Sequence, residues 1–88
     1  MLKSRQQRMV HLLQNTLHPE FLDLIDESQK HVGHMENLDE THFRLIIKSK
    51  MLENLSRLEA HRLIHDLFHQ EFNDGLHALS IKIIKKNY

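Results

Sequence analysis

The sequence predicts one small mixed α/β (α+β) domain whose elements follow the order α-β-β-α-β. Two segments carry apolar residues at helical spacing, and three shorter segments alternate apolar and polar residues as half-buried strands do. The chain has 88 residues, with 2 glycines and 1 proline, which leaves room for one hydrophobic core. We therefore expect residues 1–88 to form a single domain, in which helices pack on one face of a three-stranded mixed sheet.

The first helix is predicted from about Leu2 to Leu17. Its apolar side chains recur near helical spacing, and the pattern stops at His18-Pro19 because a residue before proline disfavours the helical conformation. The segment Phe21 to Asp26 is short, apolar and partly alternating, which indicates the first strand. The polar stretch that follows, residues 27–41, lacks periodicity and is expected to form a long loop.

In the second half of the chain the apolar residues again change between the spacing of strands and the spacing of a helix. His42 to Ser49 alternates most clearly and predicts the second strand. Residues 56–73 return to helical spacing, and Ser56 with Glu59 three residues later forms a capping-box signature at the helix start. Leu76 to Ile84 predicts the third strand.

The order of elements also predicts how the strands pair. Strands one and two have no helix between them and should be antiparallel, whereas the helix between strands two and three makes a right-handed crossover that leaves them parallel.

Composition excludes several classes of protein. The chain has no cysteine, so it cannot build a disulfide framework, a thiol nucleophile or a thiolate metal site on its own. Twelve basic and 12 acidic residues give a formal net charge of zero, so the chain lacks the basic excess typical of a strong nucleic-acid binder. No membrane span, signal peptide or enzyme motif is evident, and we expect a cytoplasmic, non-enzymatic protein.

Nine histidines are the unusual feature of the composition. His61, His65 and His69 follow one another at i, i+4 spacing; such a ridge can bind zinc, but a boundary between core and solvent is the favoured interpretation. Strand alternation places His77 on the inward side with Leu79 and predicts a partly buried structural histidine. His31 and His34 fall in the long loop.

Four sequence motifs together resemble the BolA family. The resemblance covers nearly all of residues 10–84, in order and spacing, and it implies a fold related to the type II KH domain. The motifs are Asp26-Glu27-Ser28, Thr41-His42-Phe43-Arg44, His61-Arg62-Leu63-Ile64 and His77-Ala78-Leu79-Ser80-Ile81-Lys82.

The resemblance implies a partnership with a monothiol glutaredoxin and a bridging [2Fe-2S] cluster in iron–sulfur and iron homeostasis. It assigns one cluster ligand to His77 and a second to the loop after the first strand, where His31 matches, His34 is a rival and His42 is a weaker one. A chain without cysteine can offer only imidazole to one iron, so the glutaredoxin cysteine and glutathione would complete the other. The isolated protein is expected to hold no cofactor and to be a monomer or weak homodimer.

A second function implied by the family is DNA binding, with transcriptional control of morphology and stress responses. A KH domain grips single strands with a G-x-x-G loop, and neither glycine here belongs to one. The candidate contacts are therefore basic side chains, namely Arg57, Arg62, Lys82, Lys85 and Lys86.

Overall fold

The computed structural model describes residues 4–28 and 40–85, and its elements follow the predicted order. One 3₁₀ turn follows the second strand, and the second helical segment is divided in two. The elements are α1 (Arg5–Leu17), β1 (Phe21–Asp26), β2 (His42–Lys48), the 3₁₀ turn (Lys50–Leu52), α2 (Arg57–Leu67), α3 (His69–Asn73) and β3 (Ala78–Ile83).

The three strands form one sheet in the order β1-β2-β3. β1 pairs with β2 antiparallel and β2 pairs with β3 parallel, which confirms the predicted mixed sheet. Leu45 at the centre of β2 lies opposite Leu24 of β1 and Ile81 of β3. This register places apolar side chains of all three strands on the same face.

That face forms the core together with the helices. Phe43, Leu45 and Ile47 of β2 are at most 2% exposed, as strand alternation predicts. α1 and α2 supply the opposite side of the core, so the prediction of helices packed on one face is confirmed. The buried helical residues are Met9, Leu13, Leu17, Ala60 and Ile64.

α1 starts later than predicted. Ser4 is extended (φ −68°, ψ 163°), and its hydroxyl accepts a hydrogen bond from the Gln7 backbone N–H while the Gln7 side chain accepts one from Ser4. This capping box begins the helix at Arg5, so the start predicted at Leu2 is wrong. The predicted end is confirmed, because His18 adopts the left-handed conformation (φ 44°) just before Pro19.

The single helix predicted over residues 56–73 is interrupted at Phe68. The N–H of Phe68 is shared between the carbonyls of Ile64 and His65, both at 3.2 Å, and its backbone leaves the helical region (φ −102°, ψ 17°). Phe68 itself is fully buried. The side chain is thus inserted into the core where α2 ends and α3 begins. Ser56 caps α2 through the predicted box with Glu59.

No helix in residues 4–28 and 40–85 combines the length and the apolar character needed to cross a lipid bilayer.

Candidate functional site

His77 lies immediately before β3 and its side chain is exposed. The predicted strand began at Leu76, and the prediction of an inward, partly buried His77 is wrong. Leu76 instead enters the core, where it is 3% exposed, and the N–H groups of His77 and Ala78 both donate to the Thr41 carbonyl, at 2.8 and 3.1 Å. This irregular start of β3 breaks the alternation and turns the imidazole outward.

Among the described residues, His42 at the start of β2 is the histidine that lies beside His77. The two ring centroids are 5.5 Å apart, with an interplanar angle of 37°. Nδ1 of His42 lies 2.9 Å from the Thr41 hydroxyl, an interaction that orients the half-buried ring. The parallel register explains the proximity, because His42 lies opposite Ala78.

A buried hydroxyl ties together the two ends of the loop between β1 and β2. Ser28 is 1% exposed, and its Oγ accepts hydrogen bonds from the backbone N–H groups of Thr41 and His42, at 2.9 and 3.2 Å. The Ser28 N–H in turn donates to Oδ1 of Asp26 at 2.9 Å. The sequence motif Asp26-Glu27-Ser28 therefore has a structural role: it closes the base of the loop beside His77.

The two loop histidines predicted as ligands, His31 and His34, lie outside the described residues. The described ends of the loop are Ser28 and Glu40. Glu40 adopts a left-handed conformation (φ 60°), and its carboxylate accepts a hydrogen bond from the Gln6 backbone N–H at 2.8 Å. The start of α1 thus also contacts the base of this loop.

A second set of contacts joins α1 to the turn that leads into His77. Arg5 Nη1 donates to both the carbonyl and Oε1 of Glu71, at 3.1 and 2.9 Å, and Arg5 Nη2 donates to the Asp74 carbonyl at 3.0 Å. Arg8 donates to both carboxylate oxygens of Glu71, at 2.7 and 2.9 Å. We call Arg5, Arg8, Glu71 and Asp74 the arginine clasp.

The electrostatics of the clasp follow from this geometry. The hydrogen bond from Arg8 is the main cause that lowers the pKa of Glu71 below its ordinary value, and the charges of Arg8 and Arg5 act in the same direction against partial burial. The same bond raises the pKa of Arg8. Glu71 therefore stays ionised between two guanidinium groups.

The predicted nucleic-acid contacts separate into two places. One cleft lies between the start of α2 and β3, and we call it the basic cleft. It is lined by Arg57, Lys82 and Lys85, together with His61 and the apolar side chains of Ile81 and Ile83. Lys85 Nζ is held by the Leu55 carbonyl at 2.7 Å.

Arg62 lies apart from that cleft, in a depression lined also by Glu59 and Asp66. Two acidic side chains therefore lie beside Arg62, whereas no acidic side chain lines the basic cleft. Lys86 lies outside the described residues.

The histidine ridge of α2 does not continue through α3. His65 stacks on Phe72, with centroids 5.1 Å apart and an interplanar angle of 10°, and His69 follows the interruption at Phe68. Within residues 4–28 and 40–85, no three histidine or carboxylate residues are arranged to hold a metal ion. The stacking of His65 agrees with the interpretation of the ridge as a boundary between core and solvent.

At the level of sequence His42 was named only as the weaker candidate beside His77, and the arginine clasp was missed. The closeness of His42 and His77 follows from the parallel register and could have been found by aligning the starts of the second and third strands. The arginine clasp joins residues at least 63 positions apart along the chain, and no local pattern signals it.

The fold and the site together define a class of small α+β domain: a three-stranded mixed sheet covered by helices on one face, with an exposed histidine where the last strand begins. A family model described as BolA-like protein matches residues 13–87 of this chain. The chain belongs to the BolA-like protein family.

Known proteins of this family resemble the chain over most of its length. The solved BolA domain of SufE1 from Arabidopsis thaliana is 41% identical, with a TM-score of 0.84 over 97% of this chain and 95% of that one. Protein BOLA1, chloroplastic, of Arabidopsis thaliana is 40% identical over 84 residues, 91% of this chain; the match spans about half (52%) of that relative. The DNA-binding transcriptional regulator BolA of Haemophilus influenzae is 30% identical, with 91% of this chain and 76% of the relative covered.

Proposed function

We propose that this protein is an adaptor that pairs with a monothiol glutaredoxin and shares a [2Fe-2S] cluster with it through histidine. The observation that carries the proposal is the position of His77: its ring is exposed, while its backbone is fixed to Thr41 at the base of the β1–β2 loop. An exposed imidazole on a rigid backbone can reach a metal centre that a partner also ligates.

The donor set fits such a shared centre. The chain has 9 histidines and no cysteine, so it can supply nitrogen ligands to one iron while thiolates come from the glutaredoxin and glutathione. When bound, the cluster would supply one-electron redox chemistry, and replacement of thiolate by imidazole would raise its reduction potential. His77 would be one nitrogen ligand of that iron. The second would be a histidine that lies near His77.

The second ligand is proposed to come from the loop, with His31 first and His34 as its rival. Residue 31 is three positions after Ser28, so the chain between them can span at most about 11 Å. Ser28 is bonded to Thr41, whose carbonyl holds His77, so the loop starts close to the first ligand. His42 is a further candidate because its ring contacts that of His77.

The test is co-expression with a monothiol glutaredoxin, followed by purification and a visible absorption and circular dichroism spectrum. We expect a cluster spectrum for the wild-type pair and its loss or strong alteration with His77→Ala, because an iron ligand is removed. His69→Ala is the matched control, since His69 is also an exposed histidine but lies on α3. An unchanged spectrum with His77→Ala would overturn the proposal.

A second candidate function is DNA-binding regulation, and the basic cleft is the observation that favours it. Three of the five predicted contacts, Arg57, Lys82 and Lys85, meet in that cleft with no acid among its lining residues. A relative from Haemophilus influenzae carries the name of a DNA-binding transcriptional regulator. Cationic side chains that meet in a cleft can contact phosphates, and such contacts release counterions.

Duplex binding at several salt concentrations tests this second function. If Lys82 contacts a phosphate, Lys82→Gln should weaken binding uniformly across sequences and reduce the salt slope by about 1. Arg62→Gln is the control, because Arg62 is equally basic but lies beside Glu59 and Asp66. Equal losses for the two variants, or no salt dependence, would argue against the cleft as a DNA site.

A further inference from the structure

We propose that Arg5 is a positioning residue for His77, a role that rests on the proposed function of His77 as a cluster ligand. Arg5 lies at the first position of α1, yet its guanidinium contacts the connection between α3 and β3. That connection ends at His77. The clasp therefore joins the start of the chain to the backbone that carries the proposed ligand.

The contacts of Arg5 are made mainly to backbone. Its Nη1 donates to the Glu71 carbonyl and its Nη2 to the Asp74 carbonyl, so the planar guanidinium spans both ends of the turn. The side chains of Arg5 and Glu71 are only 13% and 14% exposed, which limits competition from water. A backbone held at two carbonyls by one rigid group loses freedom to change its shape.

Gly75 shows how closely the guanidinium and the turn fit. Its φ is +118°, a conformation that side chains with a Cβ rarely adopt, and a Cβ built there would lie 3.0 Å from Arg5 Nη2. Glycine at this position therefore permits both the bend of the chain and the approach of Arg5. The bend directs Leu76 into the core and His77 outward.

The constraint continues from the turn to the ligand. The Glu71 carbonyl that accepts from Arg5 also accepts from the Leu76 N–H at 2.8 Å. The next residue, His77, donates its N–H to Thr41. The backbone on the amino-terminal side of His77 is thus held by Arg5 and Glu71, while its own N–H is held by the loop base.

Arg5 and Arg8 bond the clasp differently. Both terminal nitrogens of Arg5 donate to backbone carbonyls, those of Glu71 and Asp74. Arg8, in contrast, reaches the Glu71 carboxylate and is 42% exposed. Arg8 therefore contributes charge to the clasp, whereas Arg5 also fixes two carbonyls.

This difference provides a matched pair for the test. Arg5→Gln and Arg8→Gln each remove one guanidinium from Glu71, but only the first removes the bonds to the carbonyls of Glu71 and Asp74. In the isolated protein we expect Arg5→Gln to weaken the nuclear Overhauser contacts between the rings of His77 and His42 at least twofold, with both variants folded by far-ultraviolet circular dichroism. In the glutaredoxin complex, Arg5→Gln should accelerate cluster loss about tenfold relative to Arg8→Gln.

Arg5→Lys and Gly75→Ala extend the comparison. Lysine keeps the charge but lacks the planar fork, so it should not restore the ring contacts. Alanine at 75 should also weaken the ring contacts, because its Cβ would approach the guanidinium and the φ of +118° is strained for a residue with a Cβ; this variant tests the shape of the turn, not Arg5 alone.

Two outcomes would overturn the inference. Equal effects of Arg5→Gln and Arg8→Gln would reduce the clasp to an ion pair that stabilises the fold. Restoration of the ring contacts by Arg5→Lys would show that charge alone suffices. Failure of the proposed function is distinguished by His77→Ala: if that variant retains the cluster, His77 is not a ligand, whereas the ring contacts in the isolated protein still report whether Arg5 orients it.

Discussion

Ser28 is the residue on which the local geometry of the site depends most. Its hydroxyl accepts from two consecutive backbone N–H groups, those of Thr41 and His42, and it is buried. One side chain thereby joins the start of the β1–β2 loop to its end. The Thr41 carbonyl then holds the N–H of His77, so the Ser28 hydroxyl and the Thr41 backbone link both ends of the loop to the start of β3.

Ser28→Ala should lower the free energy of unfolding by about 1–3 kcal/mol, because it removes the acceptor of two backbone N–H groups in a water-excluded position. Urea denaturation measures this change, and faster hydrogen exchange of the amides of residues 41 and 42 should accompany it. Ser80→Ala is the control, since Ser80 is exposed on β3 and should change stability by less than about 0.5 kcal/mol. Equal effects of the two substitutions would contradict the assigned role.

Residue-level prediction from sequence succeeded where the signal was local. Ser56 and Glu59 were identified as a capping box and form one. The equivalent signal of Ser4 and Gln7 was present in the sequence but was overridden by the apolar pattern that begins at Leu2. The orientation of His77 depends on hydrogen bonds to Thr41, 36 positions earlier, and no local alternation rule contains that information.

At the scale of elements, Glu71 is the link between α1 and α3. Arg5 and Arg8 lie one helical turn apart on α1 and converge on its carboxylate. This contact holds the short helix α3 against the first helix, where apolar packing alone would leave a five-residue helix weakly anchored.

The lowered pKa of Glu71 makes this link sensitive to acid. A carboxyl with a lower pKa in the folded state binds fewer protons there than when unfolded, so its stabilising effect is present above its ordinary value of 4.5 and is lost as the pH falls through the folded pKa. Glu71→Gln should lower stability by about 1–3 kcal/mol at pH 7 and should flatten the decline of stability below pH 4.5.

Urea denaturation between pH 7 and pH 3 provides the measurement. Glu20→Gln is the matched control, because its ion pair with Lys48 is longer, at 3.7 Å, and more exposed. Such surface pairs contribute about 0–1 kcal/mol. If the acid limb of the Glu71→Gln variant matched that of the wild type, another group would be responsible for the pH dependence.

The order of the helices and strands could be predicted because each predicted element has its own hydrophobic period. The division of the second helix could not, since Phe68 continues the apolar stripe and the interruption arises from how that side chain enters the core. The start of β3 shifted from Leu76 to Ala78 for a similar reason. Tertiary contacts decided these boundaries.

At the scale of the whole molecule, one candidate site lies before β3 and the other lies along its second half. His77 precedes the strand, and the basic cleft extends from Ile81, about 13 Å along the strand from His77, to Lys85 beyond its carboxyl end. Sequence analysis named residues of both sites but could not separate Arg62 from the cleft. Arg57 and Arg62 are close along α2, yet Arg57 lines a cleft with residues of β3, whereas Arg62 lies among other residues of α2.

The closed base of the β1–β2 loop has a consequence for how this part of the molecule can vary. Because a hydrogen bond joins Ser28 to Thr41, the number of residues between them can change without moving the strands that precede and follow them. Doubling the length of such a segment costs only about 0.6 kcal/mol in closure entropy. Insertions and deletions there can alter which side chains reach a partner while the imidazole at position 77 keeps its place.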